Sequence, residues 1–297
     1  MARSINISKI CEELELQYEG RDVIIHGLNL CNRRSEYNSI LSYVVNERYI
    51  EDVKCNSSIS CLVLNQKYKD IYTAGNTGKN ITFILSDIPE KTFYDIHEYL
   101  IKMDFYDKFD FPAIIGNHCR VDRTAVVQDG TIIGNNVKIG AHTVIKSGTI
   151  IDDDVEIGCN TVIGSEGFQI ITDGKDYPMH IPHVGKCHIS SDTYIGDNTC
   201  ICNSLFEGET FIGKGTKIDN LVHVGHNCLI GEGCVVTAQV ILCGSSVLED
   251  NVWLAPEAAV LNRVCIGRSS KVGLGSVVTR DVKPFTTVYG SPAKVHN

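Results

Sequence analysis

Aliphatic residues recur at every sixth position over most of this chain. From Ile115 they fall at Val121, Val127, Ile133, Ile139, Ile145, Ile151, Ile157 and Ile163. The phase resumes at Ile189, Ile195 and Ile201. It resets once more and then runs unbroken through Ile212, Ile218, Val224, Ile230, Val236, Leu242, Leu248, Leu254, Val260, Ile266, Val272 and Val278. A period of six matches neither the 3.6 of a helix nor a long alternating strand. It matches a short strand and a turn, repeated, with one aliphatic side chain per repeat directed at a common axis. Three repeats close one coil, and stacked coils carry the aliphatic residues into a continuous ladder, which predicts a parallel β-helix of about nine coils.

The ladder breaks three times. Residues 165–185 (SEGFQIITDGKDYPMHIPHVG) leave the phase and are expected to extrude as a loop. Near Cys202 to Thr210 one residue is missing or displaced relative to the period. The terminal residues 284–297, flanked by Pro284 and Pro292, form a tail. Loops that leave a rigid solenoid are its usual binding apparatus. Residues 1–110 show no such period. ISKICEELEL and the stretch from Pro89 to near Phe105 read as helices, and VIIHGLNL, ILSYVV, SCLVLN and ITFILS as short strands,. A small α/β domain over 1–110 therefore precedes a β-helix domain over 111–283.

Composition changes this picture little. A formal charge of −9 and the absence of a long Lys/Arg run argue against a nucleic-acid partner,. No segment reaches 18 apolar residues, and the opening MARSINISKICEEL lacks a signal-peptide core, so no membrane insertion and a cytoplasmic location are expected,. The thirteen cysteines contain no CxxC pair. Cys159, Cys200, Cys228, Cys234 and Cys265 stand at small positions of the repeats, which predicts reduced thiols that fill space, with no disulfide and no metal,.

The ladder resembles the hexapeptide-repeat acyltransferases, a resemblance that implies a left-handed parallel β-helix and a homotrimer. A closer resemblance, over nearly the whole chain, is to the UDP-3-O-acylglucosamine N-acyltransferases of lipid A synthesis. SILSYVVNERY is similar to that family's uridine-binding segment, which implies Tyr43, Asn46, Arg48 and Tyr49 as nucleotide contacts. IGSEGFQI resembles its glycine-Asp-glycine-Phe stretch, with Glu166 in place of the Asp and Phe168 retained, and HIPHVG resembles its Ile-Pro segment. KIDNLVHVGHN resembles the catalytic-histidine motif and puts His226 at the catalytic position, with His223 beside it as a possible substrate contact.

The departures point elsewhere for the donor. The family's Asp-Arg-Gly motif is absent from CICNSLF, and Leu261 and Asn262 stand near the place of a second family histidine. The family's terminal helices engage acyl carrier protein, whereas VTRDVKPFTTVYGSPAKV resembles the last segment of acetyl-CoA-dependent sugar acetyltransferases. The expectation is therefore transfer of a short acyl group, acetyl above all, from a CoA thioester to the amine of a nucleotide-linked amino sugar. Arg263, Arg268, Lys271 and Arg280 are the candidates for CoA phosphate contacts,.

A histidine of pKa near neutrality suits removal of the amine's proton during attack, which makes His226 the candidate base. Gly244, eighteen residues on and so in register one coil later, is the candidate oxyanion donor, and Asp219 a candidate to orient a histidine,. Four alternatives stay open: a sugar O-acyltransferase; acyl transfer from carrier protein; a zinc carbonic anhydrase-like enzyme using His183, His188, His223 and His226; and a binding scaffold without catalysis.

Overall fold

The computed structural model describes residues 3–33, 35–74, 80–172, 177–206 and 208–295. Two compact units divide the chain: Met1–Asp107 with Gln169–Pro182, and Lys108–Phe168 with His183–Asn297. In the first, a five-stranded sheet runs in the order Tyr18–Glu19, Thr82–Leu85, Ile59–Leu64, Ile40–Tyr43, Gly27–Leu28. The expected helices at Ile7–Glu13 and Pro89–Lys102 are present, the second opened by Pro89, whose missing N–H costs nothing in a first turn,. Helices Ile50–Cys55 and Gln66–Ala74 escaped the hydrophobic pattern. One is only six residues long with two side chains buried, and the other buries Tyr72 alone.

His97, on the Pro89–Lys102 helix, is fully buried in this unit. Its Nε2 donates to the Pro182 carbonyl at 2.9 Å and its Nδ1 accepts from the Tyr106 hydroxyl at 2.6 Å. Burial holds its pKa down to about 4, against the smaller opposing effect of the Pro182 bond. The unfolded chain protonates near 6.5, so between that pH and about 4 it binds a proton that the folded chain refuses. His97 therefore leaves stability intact above pH 6.5 and removes roughly 3 kcal/mol as pH falls to 4. Urea titrations at pH 7.5 and 4.5 should show this loss, and a His97→Gln variant should lose less between the two. Equal losses in both proteins would remove His97 as the cause.

The second unit is a left-handed β-helix. Among the described residues it has three sheets, of eight, ten and eight strands, visited in turn by each coil,. The first face begins with Ile114–Ile115, the second with Arg120–Val121 and the third with Val126–Val127. In a regular coil partners are 18 residues apart, as in Val126 with Val144 and Lys138 with Glu156. The inward residues Ile133, Ile139, Ile145 and their successors through Val278 are almost completely buried, so the ladder is the core. At the corners Asn136, Asn160, Asn227 and Asn251 take φ of 55–59°, a left-handed conformation that asparagine tolerates,.

The outward positions differ by face. The second presents Arg120, Lys138, Glu156, Lys217 and Lys271, with Tyr194, Val235 and Trp253 among them. The first presents Ile114, Ile132, Leu229 and Val247, and the third Val126, Val144, Val162, Ile241 and Val277. Several of these are open to solvent in the single chain, among them Ile114 (55%), Val126 (51%) and Ile241 (48%).

The second interruption is an insertion. Cys200 pairs with His223, 23 residues on, so that coil carries five extra residues between strands Cys200–Cys202 and Glu209–Ile212. The tail continues the solenoid: Thr287–Gly290 pairs with Lys271–Val272 and turns back on Ala293–Val295. Among the described residues no helix is long and apolar enough to cross a membrane.

Candidate active site

Both internal irregularities lie on one edge of the prism, where each coil passes from the third face to the first. The chain leaves the coil after strand Val162–Ser165 and returns at Lys186–Ile189, and residues 203–206 bulge at the same corner one coil later. His226 and Asn227 occupy that corner in the next coil, followed along the edge by Gly244 and Ser245, then Asn262 and Arg263, then Arg280. A strict eighteen-residue coil makes this column from residues distant in sequence.

His226 is half-buried and held on several sides. Its Nδ1 lies 2.9 Å from Asn227 Oδ1. The Asn227 amide is itself oriented: Oδ1 accepts the Leu205 N–H at 3.0 Å and Nδ2 donates to Ser204 Oγ at 2.5 Å. Asn227 Oδ1 can only accept, so His226 carries its proton on Nδ1 and its basic lone pair on Nε2. The Asn227 N–H is anchored on Thr210 Oγ1 at 2.8 Å. The His183 ring stands edge-on to His226 at 5.2 Å between centroids, and the His183 N–H donates to Glu166 Oε1 at 3.1 Å.

Two glycines make room for this imidazole. A Cβ on Gly244 would stand 2.5 Å from His226 Nε2 and 2.7 Å from its Cε1. One on Gly167 would stand 2.5 Å from His183 Nε2 and 2.9 Å from His226 Cβ. The Gly244 amide is unusual in a second respect. On the other edges, the corresponding N–H groups of Asn135, Cys159 and Asp197 each donate to a side-chain oxygen of the next coil at 2.6 Å. Among the described residues the Gly244 N–H donates to no acceptor.

Several expected positions fall elsewhere. Asp219 follows a strand of the second face, so it lies on a different edge, exposed, and its carboxylate accepts the N–H of Asn220 at 2.8 Å. Asn227, which the sequence did not single out, is the group on His226 Nδ1. Tyr43 is 6% exposed and packs on Phe93 at 4.7 Å, a core aromatic whose ring is closed to a nucleotide base. The Asn46 side chain accepts the Arg48 N–H and caps a 3₁₀ turn. Arg48 lies over the Tyr49 ring at 4.6 Å, which leaves an exposed cation–aromatic pair. Phe168 is 83% exposed.

Arg263 and Arg280 lie on the His226 edge, whereas Arg268, 3.8 Å from Asp250, and Lys271 on the second face do not. The four histidines of a zinc enzyme do not converge. His188 sits between Asp152 (3.1 Å) and Glu209 (3.3 Å), whose hydrogen bonds, Glu209's foremost, raise its pKa. His223 faces Cys200, not His226. Hydrogen bonds from the Cys202 thiol and then from His223 hold the Cys200 thiol down to about 4, while Cys202 is pushed up by its bond to Cys200 and by burial.

The repeats define a left-handed β-helix of the hexapeptide type. The family model for the bacterial transferase hexapeptide (six repeats) matches residues 112–147, 130–165 and 209–244. Over these segments the chain matches the hexapeptide repeat and is similar to UDP-3-O-acylglucosamine N-acyltransferases. The enzyme of that name from Methylobacterium nodulans is 40% identical over 131 residues, covering 44% of this chain and 37% of the relative. The one from Wolinella succinogenes is 35% identical over 133 residues, covering 45% and 42%. The match thus spans about two-fifths of these relatives. A solved UDP-N-acetylglucosamine acyltransferase from Campylobacter jejuni superposes with a TM-score of 0.55 over 62% of this chain and 69% of that one, at 22% identity, and bears on the fold alone.

These relatives overturn the expected acetyl transfer from acetyl-CoA. The shared segment ties the chain to N-acyltransferases of UDP-3-O-acylglucosamine, the family whose resemblance implies an acyl carrier protein donor. The short terminal segment that suggested CoA carries less weight than 131 aligned residues. The assignment of Arg263, Arg268, Lys271 and Arg280 to CoA phosphates falls with that donor.

Proposed function

We propose that this protein transfers an acyl group from the thioester of acyl carrier protein to the amine of a nucleotide-linked amino sugar, in the cytoplasm, as a homotrimer. The observation that carries the reading is the His226 imidazole, fixed by Asn227 with Nε2 directed toward Gly244. The amine nitrogen attacks the thioester carbonyl and forms the C–N bond, and His226 Nε2 takes the amine's proton. The oxyanion that develops on the carbonyl accepts a hydrogen bond from the Gly244 N–H. As the intermediate collapses the C–S bond breaks, and the carrier thiolate leaves with the proton returned by the imidazolium. The relatives' named substrate supports a UDP-linked sugar. Glu166, Phe168 and His183, on or beside segment 166–185, would line the acceptor side.

The trimer rests on the largely apolar first and third faces: a ring in which the first face of one chain meets the third face of the next would cover both and leave the second face, which carries most of the charged outward residues, in water. The His226 edge lies between those two faces. Light scattering at the mass of one chain would remove this part of the proposal.

The test incubates the full chain with UDP-linked amino sugars and carrier proteins loaded with acyl groups of graded length, reading thiol release and product mass. Alkali-stable amide with one chain length preferred is the expected result. An alkali-labile product would make the enzyme an O-acyltransferase. No release from any carrier-bound donor would overturn the reading.

A further inference from the structure

Cysteines inside the coils follow a common pattern. Cys119, Cys228 and Cys234 donate their thiols to backbone carbonyls of the following coil, at Gly134 (3.1 Å), Cys243 (3.3 Å) and Glu249 (3.1 Å). Thr143 and Thr216 make the same bond to Gly158 and Gly231. These thiols stand in for threonine. Cys200 and Cys202 do not. They flank the ladder residue Ile201 on one strand, so the period of two sends Ile201 to the core and both sulfurs to the other side,. His223 is the register partner of Cys200 on the next strand. The two sulfurs and a His223 ring nitrogen lie within 4.8 Å of one another. Cys202 is 3% exposed and Cys200 half-buried, while His223 opens to solvent. In the single chain the cluster is therefore walled on one side and accessible on the other.

We propose that Cys200, Cys202 and His223 bind one zinc ion, with the fourth position open to water. Two sulfurs and an imidazole nitrogen are the donor set of a soft or borderline metal, and three protein ligands leave a tetrahedral ion one vacancy. Zn–S and Zn–N bonds of about 2.3 and 2.1 Å put ligand atoms roughly 3.5–3.8 Å apart, so contraction of about 1 Å from the observed spread suffices. Two thiolates and a neutral imidazole also cancel the charge of the ion. Ser165, paired with Cys202 across the third face and hydrogen-bonded to Cys200, supplies an outer-shell hydroxyl,. The ion would join two successive strands of one face just beside the edge where segment 166–185 leaves the coil. This assignment departs from the sequence reading, in which Cys200 was a space-filling thiol and His223 a possible substrate contact. It stands independently of the acyl-transfer reading.

Full-length protein, stripped with chelator and kept reduced, is titrated with Co²⁺ as a spectroscopic substitute and then with Zn²⁺ in competition. The expected result is one Co²⁺ per chain, with a near-ultraviolet thiolate charge-transfer band and an intense visible band of a tetrahedral site, both abolished by one equivalent of Zn²⁺. Cys200→Ser, Cys202→Ser and His223→Ala should each weaken binding by more than about 100-fold, since outer-shell changes alone cost 10–100-fold. Cys234→Ser, which removes a thiol bonded to backbone, should bind like the parent. Circular dichroism checks that each variant is folded, and zinc should raise the melting temperature of the parent but not of the three ligand variants. The proposal is overturned if the parent shows no thiolate band, or if substoichiometric metal persists in the Cys200→Ser/Cys202→Ser double variant, which would mean an adventitious ion only. Isolation of a Cys200–Cys202 disulfide that forms in preference to metal binding would overturn it equally.

Discussion

Replacing His226 by alanine is expected to lower kcat for acyl transfer by about 10²–10⁴-fold, the usual contribution of a positioned general base. The fold should survive, because the inward residues of that coil are Val224 and Ile230 and the half-buried imidazole is not part of the ladder. Affinity for the nucleotide sugar, measured by calorimetry without donor, should change by no more than a few-fold. A folded His226→Ala protein with undiminished kcat would end the assignment of the base. Asn227→Ala provides the complementary measurement. It removes the acceptor on Nδ1 and so releases the tautomer, with a smaller loss in kcat and an altered pH profile,.

Gly244→Ala is expected to have the second large effect, through geometry. The new methyl would lie 2.5 Å from His226 Nε2, a distance no side-chain carbon tolerates, so the ring or the coil must move,. A displacement of about 1 Å at the reacting nitrogen costs on the order of 10²-fold in rate. Crowding should destabilise the coil by about 1–3 kcal/mol. Thermal melting and steady-state kinetics together separate the two. A protein with normal kcat would show that neither the approach of Nε2 nor the Gly244 amide contributes. Gly233→Ala is the control for coil strain alone: with φ at 63° and Asn251 Oδ1 2.8 Å from the new Cβ it should also lower the melting temperature, but leave kcat unchanged.

The hydrophobic pattern made the solenoid legible because each inward residue answers to one physical requirement, burial on a shared axis, repeated at a fixed interval. His226 could be reached from the KIDNLVHVGHN stretch, and Gly244 from counting eighteen residues forward. The partner of the base was not reachable that way. Asn227 looks like other corner asparagines such as Asn160 and Asn251, and its φ of 59° is like theirs. Its side chain is singular only because residues 203–206 bulge beside it and deliver Ser204 and the Leu205 N–H. Asp219 failed as an orienter for a related reason. Seven residues separate it from His226 in sequence, but a three-sided coil sends them to different edges. Tyr43 failed because an aromatic beside a plausible motif says nothing of whether Phe93 will cover it.

What the sequence by itself determined was therefore the scaffold: a ladder of aliphatic residues in units of six, two interruptions, and a small α/β unit ahead of them. Periodicity is a local signal summed over many repeats, so no tertiary information is needed to read it. What only the tertiary structure decided was which residues become neighbours across coils. It collected the two interruptions, His226, Gly244 and Arg263 on a single edge, set Cys200 and Cys202 beside His223, and kept most outer positions of the first and third faces apolar. Those outcomes depend on coil length, inserted residues and strand register. Each insertion shifts the partner of every residue that follows, and no local pattern records the shift.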